Sequence, residues 1–241
     1  MSSSDPCGLR ANSRSMNWKS SLEPYVESSD IVVKSASREC DATDARISTR
    51  QLRSNYEGVG KMDFNDVMLE RNVDFASTGF EPALKMMPST GTVVVGCVDP
   101  RVDPANVLGL KQGEAAVIRN VGGRINKPLL ETLAVLSVVA KAAGRPDGAR
   151  NLVLLQHTDC GIIGCHKHAP ALLAKHLGVE TGALDELAIT EPYEAVALDV
   201  AALRANKDLP DNLIVSGLVY DVKTGIVKTV VPPAALRETA G

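Results

Sequence analysis

Thr92-Val-Val-Val-Gly-Cys97-Val-Asp99-Pro-Arg101 is a β-branched run without polar alternation, broken off by a thiol, a carboxylate and a guanidinium. A run of this kind reads as a strand covered on both faces, the habit of parallel sheets. Working outward, Ala115-Ala-Val-Ile-Arg119, Asn151-Leu-Val-Leu-Leu155 and Leu213-Ile-Val-Ser-Gly-Leu-Val219 repeat the pattern and predict three more strands. Helical spacing falls between them. Pro128 opens and Gly144 closes a predicted helix over Leu129–Ala143, with Leu130, Leu133, Ala134 and Val138 on one face. Ile163–Leu177 and Pro192–Ala205 are predicted helices, and Phe64, Val67, Met68 and Phe75 set an earlier one over Asp63–Phe75, capped by Asp63. Strands alternating with helices predict an α/β domain, a mostly parallel central sheet flanked by helices. Thr224-Gly225, inside Tyr220–Val231, adds a C-terminal edge strand or hairpin.

The 241 residues are 44% hydrophobic and 23% charged, enough to bury one sizeable core. A formal net charge of −3 argues against nucleic acid as a partner, since polyanion binders carry a basic excess. Five cysteines are too sparse for a disulfide scaffold and point to a reducing compartment, the cytoplasm, with mitochondrial import as the alternative. The most apolar run, Thr132–Ala140, is interrupted by Ser137 and falls short of the roughly 18 to 20 residues of a membrane span, so no membrane partner is expected. Residues 1–61 are serine-rich, poor in apolar residues and without period; they read as a disordered N-terminal extension, with Cys7 and Cys40 free thiols within it. Residues 62–241 then form a single folded domain.

Chemistry gathers at strand ends. Cys97 closes the first strand, and His157-Thr-Asp-Cys160 follows the third. In open parallel sheets, ligands bind in the crevice outside the carboxyl ends of the strands. Two thiolates and an imidazole suit zinc, and three protein ligands leave the fourth tetrahedral place open, as catalytic sites do. Taken singly, a Cys after a strand is commonly a small buried hydrophobe and a His an ordinary polar residue. Two such motifs at equivalent strand ends favour the metal. Cys165-His-Lys-His168 is spaced too closely to close a tetrahedral site and reads as a solvated helix start. His176 reads as a helix-terminal cation, and Asp103 and Glu114 as surface carboxylates. A closed four-ligand site, or a redox sensor with a Cys97–Cys160 disulfide, is the non-enzymatic alternative. No Gly-x-Gly-x-x-Gly is present, which removes a dinucleotide-dependent dehydrogenase.

The pair Cys97-x-Asp99-x-Arg101 and His157-x-x-Cys160 resembles the β-class carbonic anhydrases, as do Arg119-Asn-Val-Gly-Gly123, the Gly161 that follows Cys160, and Gly217-Leu-Val-Tyr-Asp221. The resemblance runs from about Met62 to Val231. It implies one zinc ion per chain on Cys97, His157 and Cys160, an Asp99–Arg101 catalytic dyad, and a closed state in which Asp99 itself ligates the metal. It further implies a single zinc-binding catalytic domain that hydrates carbon dioxide reversibly to bicarbonate and a proton by zinc-bound hydroxide. A homodimer or dimer of dimers, with the first helix lying on the partner, is implied as well. Gly122 and Gly161 are the candidate substrate-contacting glycines, since glycine allows close backbone approach. Carbonyl sulfide or carbon disulfide hydrolysis with the same metal site is the alternative chemistry. One position departs from the family: Pro100 stands where serine is usual, removing a hydroxyl and a backbone donor beside Asp99.

Overall fold

The computed structural model describes residues 63–145 and 150–237, so the N-terminal extension and its two cysteines lie outside the described residues. Five strands form one sheet: β1 (Thr92–Cys97), β2 (Ala115–Asn120), β3 (Asn151–His157), β4 (Ile214–Asp221) and β5 (Ile226–Ala235), in the order β2-β1-β3-β4-β5. The first four pair in parallel, and β5 returns antiparallel on β4. The expected hairpin is therefore present. Gly225 supplies its turn at φ 73°, and its N–H donates to the Asp221 carbonyl at 2.8 Å. Pro232 and Pro233 fall on this edge strand, where a missing ladder donor is tolerated.

The β-branched run behaves as its composition demands. Val93 and Val95 face one side of the sheet, in a core with Leu152, Leu154, Val196, Val200 and Leu203, while Val94 faces the other, with Val102 and Leu155. Each such buried Val or Leu contributes about 1.5–3 kcal/mol. The helices are α1 (Phe64–Thr78), α2 (Pro104–Val107), α3 (Lys127–Ala142), α4 (Ile162–His168), α5 (Pro170–Leu177) and α6 (Pro192–Ala205). In α1, Asp63 Oδ1 accepts the Asp66 N–H at 3.0 Å, the expected cap, and none of the helix's residues is buried. Asn126 caps α3, accepting the Leu129 N–H at 3.1 Å, with Pro128 in the first turn.

Two expectations are corrected. The helix expected over Ile163–Leu177 is two helices, α4 and α5, because Pro170 lacks the N–H to continue the ladder and drives Ala169 out of the helical region to φ −146°, ψ 56°. The third strand runs two residues past Leu155. Gln156 and His157 stay in register with Val219 and Tyr220 of β4, which places the histidine on the strand itself.

A sheet whose order begins β2-β1-β3 reverses direction of winding between β1 and β3, and the crevice at that reversal is where such folds bind ligands. Cys97 and His157 are the last residues of those two strands.

Candidate metal centre

Cys97 is 4% exposed and His157 1%. The chain leaves β3 through Thr158, whose N–H donates to the Tyr220 carbonyl at 3.0 Å, and turns at Asp159 in the left-handed region, φ 54°. That turn brings the Cys160 sulfur to 3.8 Å from the Cys97 sulfur. The Cys97 and Cys160 sulfurs and a ring nitrogen of His157 all lie within 4.8 Å of one another, and this is the one such group of three among the described residues.

These dimensions fit a metal. Two thiolates bound at about 2.3 Å with tetrahedral angles stand roughly 3.8 Å apart. His157 Nε2 is buried with no hydrogen-bond partner, an arrangement that costs stability unless something binds there. Nδ1 lies 2.9 Å from the Thr158 carbonyl, which fixes it as the protonated nitrogen and leaves Nε2 as the donor atom, the usual support of a metal-bound histidine. Cys97, Cys160 and Cys165 are free thiols, so neither a disulfide nor a fourth cysteine closes the site among the described residues.

The electrostatics are those of a site that binds a cation. The hydrogen bond with the Cys160 side chain draws the Cys97 pKa down, while the same hydrogen bond and burial push Cys160 up. Burial opposes charge on His157, the adjacent Cys97 sulfur favours it, and the net shift is upward. Each proton held here is one that metal binding must release.

Glycines back the ligands. A Cβ on Gly123 would stand 3.1 Å from the Cys97 nitrogen, and one on Gly122, at φ 81°, would meet Ile162 Cδ1 at 2.4 Å, so this turn reaches the metal centre only as glycine. Gly122 is buried. Gly161 is exposed beside Cys160, with open space where its side chain would be.

Asp99 and Arg101 meet as the motif suggested. Arg101 donates through Nη2 to Asp99 Oδ2 at 2.7 Å and through Nε to Oδ1 at 3.0 Å, and its backbone N–H reaches Oδ1 at 2.9 Å. These donors, the guanidinium foremost, outweigh burial and hold the Asp99 pKa down at about 2. Pro100 does not disturb this. It opens the 3-10 turn Pro100–Val102, where a backbone N–H would have no partner, and Asp99 before it takes the extended conformation that proline demands, φ −53°, ψ 123°.

Several residues at the site carry functions that their spacing did not announce. Arg101 is also held by Asp159, through Oδ2 at 2.9 Å and the carbonyl at 2.8 Å. Arg119 clamps the loop, donating to the Cys97 carbonyl at 2.8 Å and the Asp99 carbonyl at 2.7 Å. Asp103 is no idle surface carboxylate: it caps α2 and accepts from Arg119 Nη1 at 2.9 Å. The signal was present, since Asp before Pro is a helix-start signature. Cys165, His166 and His168 form no metal-binding group among the described residues; His166 faces Asp185 at 3.4 Å.

Fold and site together define an α/β protein with two cysteines and a histidine able to hold a metal at the switch point of its sheet. The sequence profile of the carbonic anhydrase family matches residues 92–188. β-Carbonic anhydrase 1 of Mycobacterium tuberculosis is 32% identical over 172 residues, covering 71% of this chain and all of that protein. The crystal structure of carbonic anhydrase from Streptococcus mutans superposes with a TM-score of 0.56 at 31% identity, over 71% of this chain and 99% of that one. More distantly, the carbon disulfide hydrolase of Acidithiobacillus thiooxidans is 24% identical over 152 residues, 55% of this chain and 73% of that protein. The chain belongs to the β-carbonic anhydrase family.

Proposed function

We propose that this enzyme hydrates carbon dioxide reversibly to bicarbonate and a proton, with one zinc ion per chain on Cys97, His157 and Cys160. The observation that carries the reading is the pair of sulfurs 3.8 Å apart facing a buried, unpartnered His157 Nε2, a three-ligand set that leaves a fourth place for chemistry. A zinc ion held by these three side chains would supply activation of water as a nucleophile near neutral pH. The chain does the rest. Asp99, ionised and pinned by Arg101, is the acceptor that orients the nucleophile's proton, and Arg101 keeps the carboxylate from taking the ligand place for itself. A small cavity adjoins His157 and Cys160, with Gly122, Ile162, Ile163, Ile189 and Ala195 on its apolar walls and Arg124 and Gln156 among its polar ones. Gly161 offers its exposed backbone to the product anion.

One preparation tests this. Metal analysis should find about one zinc per chain, and stopped-flow assay should find accelerated carbon dioxide hydration. Carbon disulfide hydrolysis is the second reading, favoured by the distant relative of that name. Turnover of carbon disulfide or carbonyl sulfide in a zinc-loaded preparation that leaves carbon dioxide untouched would replace the first reading with the second.

The assembly is a homodimer in this reading, or a pair of such dimers. Phe64, Met68, Leu69, Val73 and Phe75 of α1 are exposed, more apolar surface than one short helix leaves to water without a partner. Sedimentation at micromolar concentration should give at least twice the 25.5 kDa of one chain; a single species of that mass would remove the dimer. None of the helices among the described residues is long and apolar enough to cross a membrane. Free thiols as metal ligands suit the reducing cytoplasm, and mitochondrial import is the other placement.

A further inference from the structure

Helix α6 buries Val196, Val200 and Leu203 on one stripe, and Asp199 sits in the middle of that stripe, 5% exposed. A carboxylate there does nothing for packing that an apolar side chain would not do better, since replacing a buried ion pair by hydrophobes is often neutral or stabilising. Its contacts point elsewhere. Asp199 Oδ2 accepts from Arg124 Nε at 2.8 Å and from Gln156 Nε2 at 2.7 Å, and Oδ1 accepts from Arg124 Nη2 at 3.2 Å. Arg124 and Gln156 are each 3% exposed.

Both donors adjoin the metal centre. Arg124 follows the Gly122-Gly123 turn that presses on the Cys97 backbone, and Asn120, next to Cys97 across the β1–β2 ladder, holds it with two hydrogen bonds of 2.8 and 3.1 Å. Gln156 is the strand residue before His157, and Arg124, Gln156, His157 and Cys160 all line the small cavity. One carboxylate oxygen therefore ties the turn behind the first ligand to the strand that carries the second.

We propose that Asp199 is a positioning residue of the metal centre, setting the separation of Cys97 and His157 through Arg124 and Gln156. The proposal rests on the reading of Cys97, His157 and Cys160 as zinc ligands. It is a role at one remove: Asp199 touches neither metal nor substrate. Groups hydrogen-bonded to metal ligands typically change metal affinity about 10- to 100-fold, and Asp199 acts one step further out through Arg124 and Gln156.

The test measures zinc affinity by chelator competition on the full chain, together with the thermal midpoint of the metal-free protein and the absorption spectrum of the cobalt-substituted one. Asp199→Asn keeps the shape and loses the charge. Gln156→Met cuts the link to β3 and leaves the Arg124–Asp199 pair intact, so it folds even where the first variant does not. Leu203→Ala, on the same stripe of α6, weakens the helix packing and touches none of these groups. Asp199→Asn and Gln156→Met should each weaken zinc binding by about 10-fold or more and shift the cobalt bands, while Leu203→Ala should bind zinc within about threefold of wild type despite a lowered midpoint. Wild-type affinity in Gln156→Met, or a loss in Leu203→Ala as large as in the other two, would overturn the positioning role and leave the zinc reading standing. A wild-type chain that binds neither zinc nor cobalt would overturn both.

Discussion

Cys160→Ser strips most of the zinc from the protein. A serine hydroxyl is close to the thiol in size, so the turn after β3 keeps its course through Thr158 and Asp159, and the half-buried side chain still packs at the edge of the Ile162 and Leu173 cluster. What is lost is a polarisable thiolate facing Cys97 at 3.8 Å, in exchange for a hydroxyl that does not ionise near neutral pH. Because outer contacts alone cost about 10- to 100-fold, removal of a direct ligand should exceed about 100-fold. Hydration activity falls with metal content, and circular dichroism stays that of the folded chain. Full zinc retention would take Cys160 out of the ligand set and return the site to a structural thiol beside a buried histidine.

The clustering of the candidate ligands was legible because parallel strands advertise their own ends. The apolar runs stop at or within two residues of the ends of β1 and β3, where Cys97 and His157 stand, so recognising the strands already located the crevice. The hairpin was legible for the same kind of reason, since Thr224-Gly225 can do little else than turn. What stayed hidden depends on contacts between residues far apart in the chain. Arg119 and Asp159 stand inside the Arg119–Gly123 and His157–Cys160 motifs, but their partners, the Cys97 and Asp99 carbonyls and Arg101, appear only when the loops fold together. Asp199 did carry a signal. A lone carboxylate at helical spacing from Val196, Val200 and Leu203 must be buried, and a buried charge must have a partner. Spacing could have told that Asp199 is paired, but not that its partners are Arg124 and Gln156. The break between α4 and α5 was written in Pro170, whose helical neighbours on both sides made one continuous helix the easier reading.

Arg101→Ala keeps its zinc and loses its activity, and this separation is what distinguishes a dyad from an ordinary surface ion pair. In the folded chain Arg101 holds the Asp99 carboxylate through Nε and Nη2, and is itself held by the Asp159 carboxylate and carbonyl, so the guanidinium is anchored from both loops. Its removal leaves the Asp99 carboxylate with the backbone N–H of residue 101 as its one remaining partner of those described. Asp99 is two residues from Cys97 and its own N–H already reaches the Cys97 sulfur at 3.5 Å, so a released carboxylate has a short path to the open ligand place. An anionic oxygen there competes with water for the metal, and hydration should fall by about 100-fold or more, the lower end of what a positioned proton acceptor contributes. Asp99→Ala should also retain zinc on Cys97, His157 and Cys160 while losing the acceptor. The double variant then discriminates. With no carboxylate to close the site, its cobalt-substituted form should return to the spectrum of the Asp99→Ala protein rather than that of Arg101→Ala. Normal hydration by Arg101→Ala, with a wild-type cobalt spectrum, would remove the dyad from the mechanism and leave the three metal ligands as they stand.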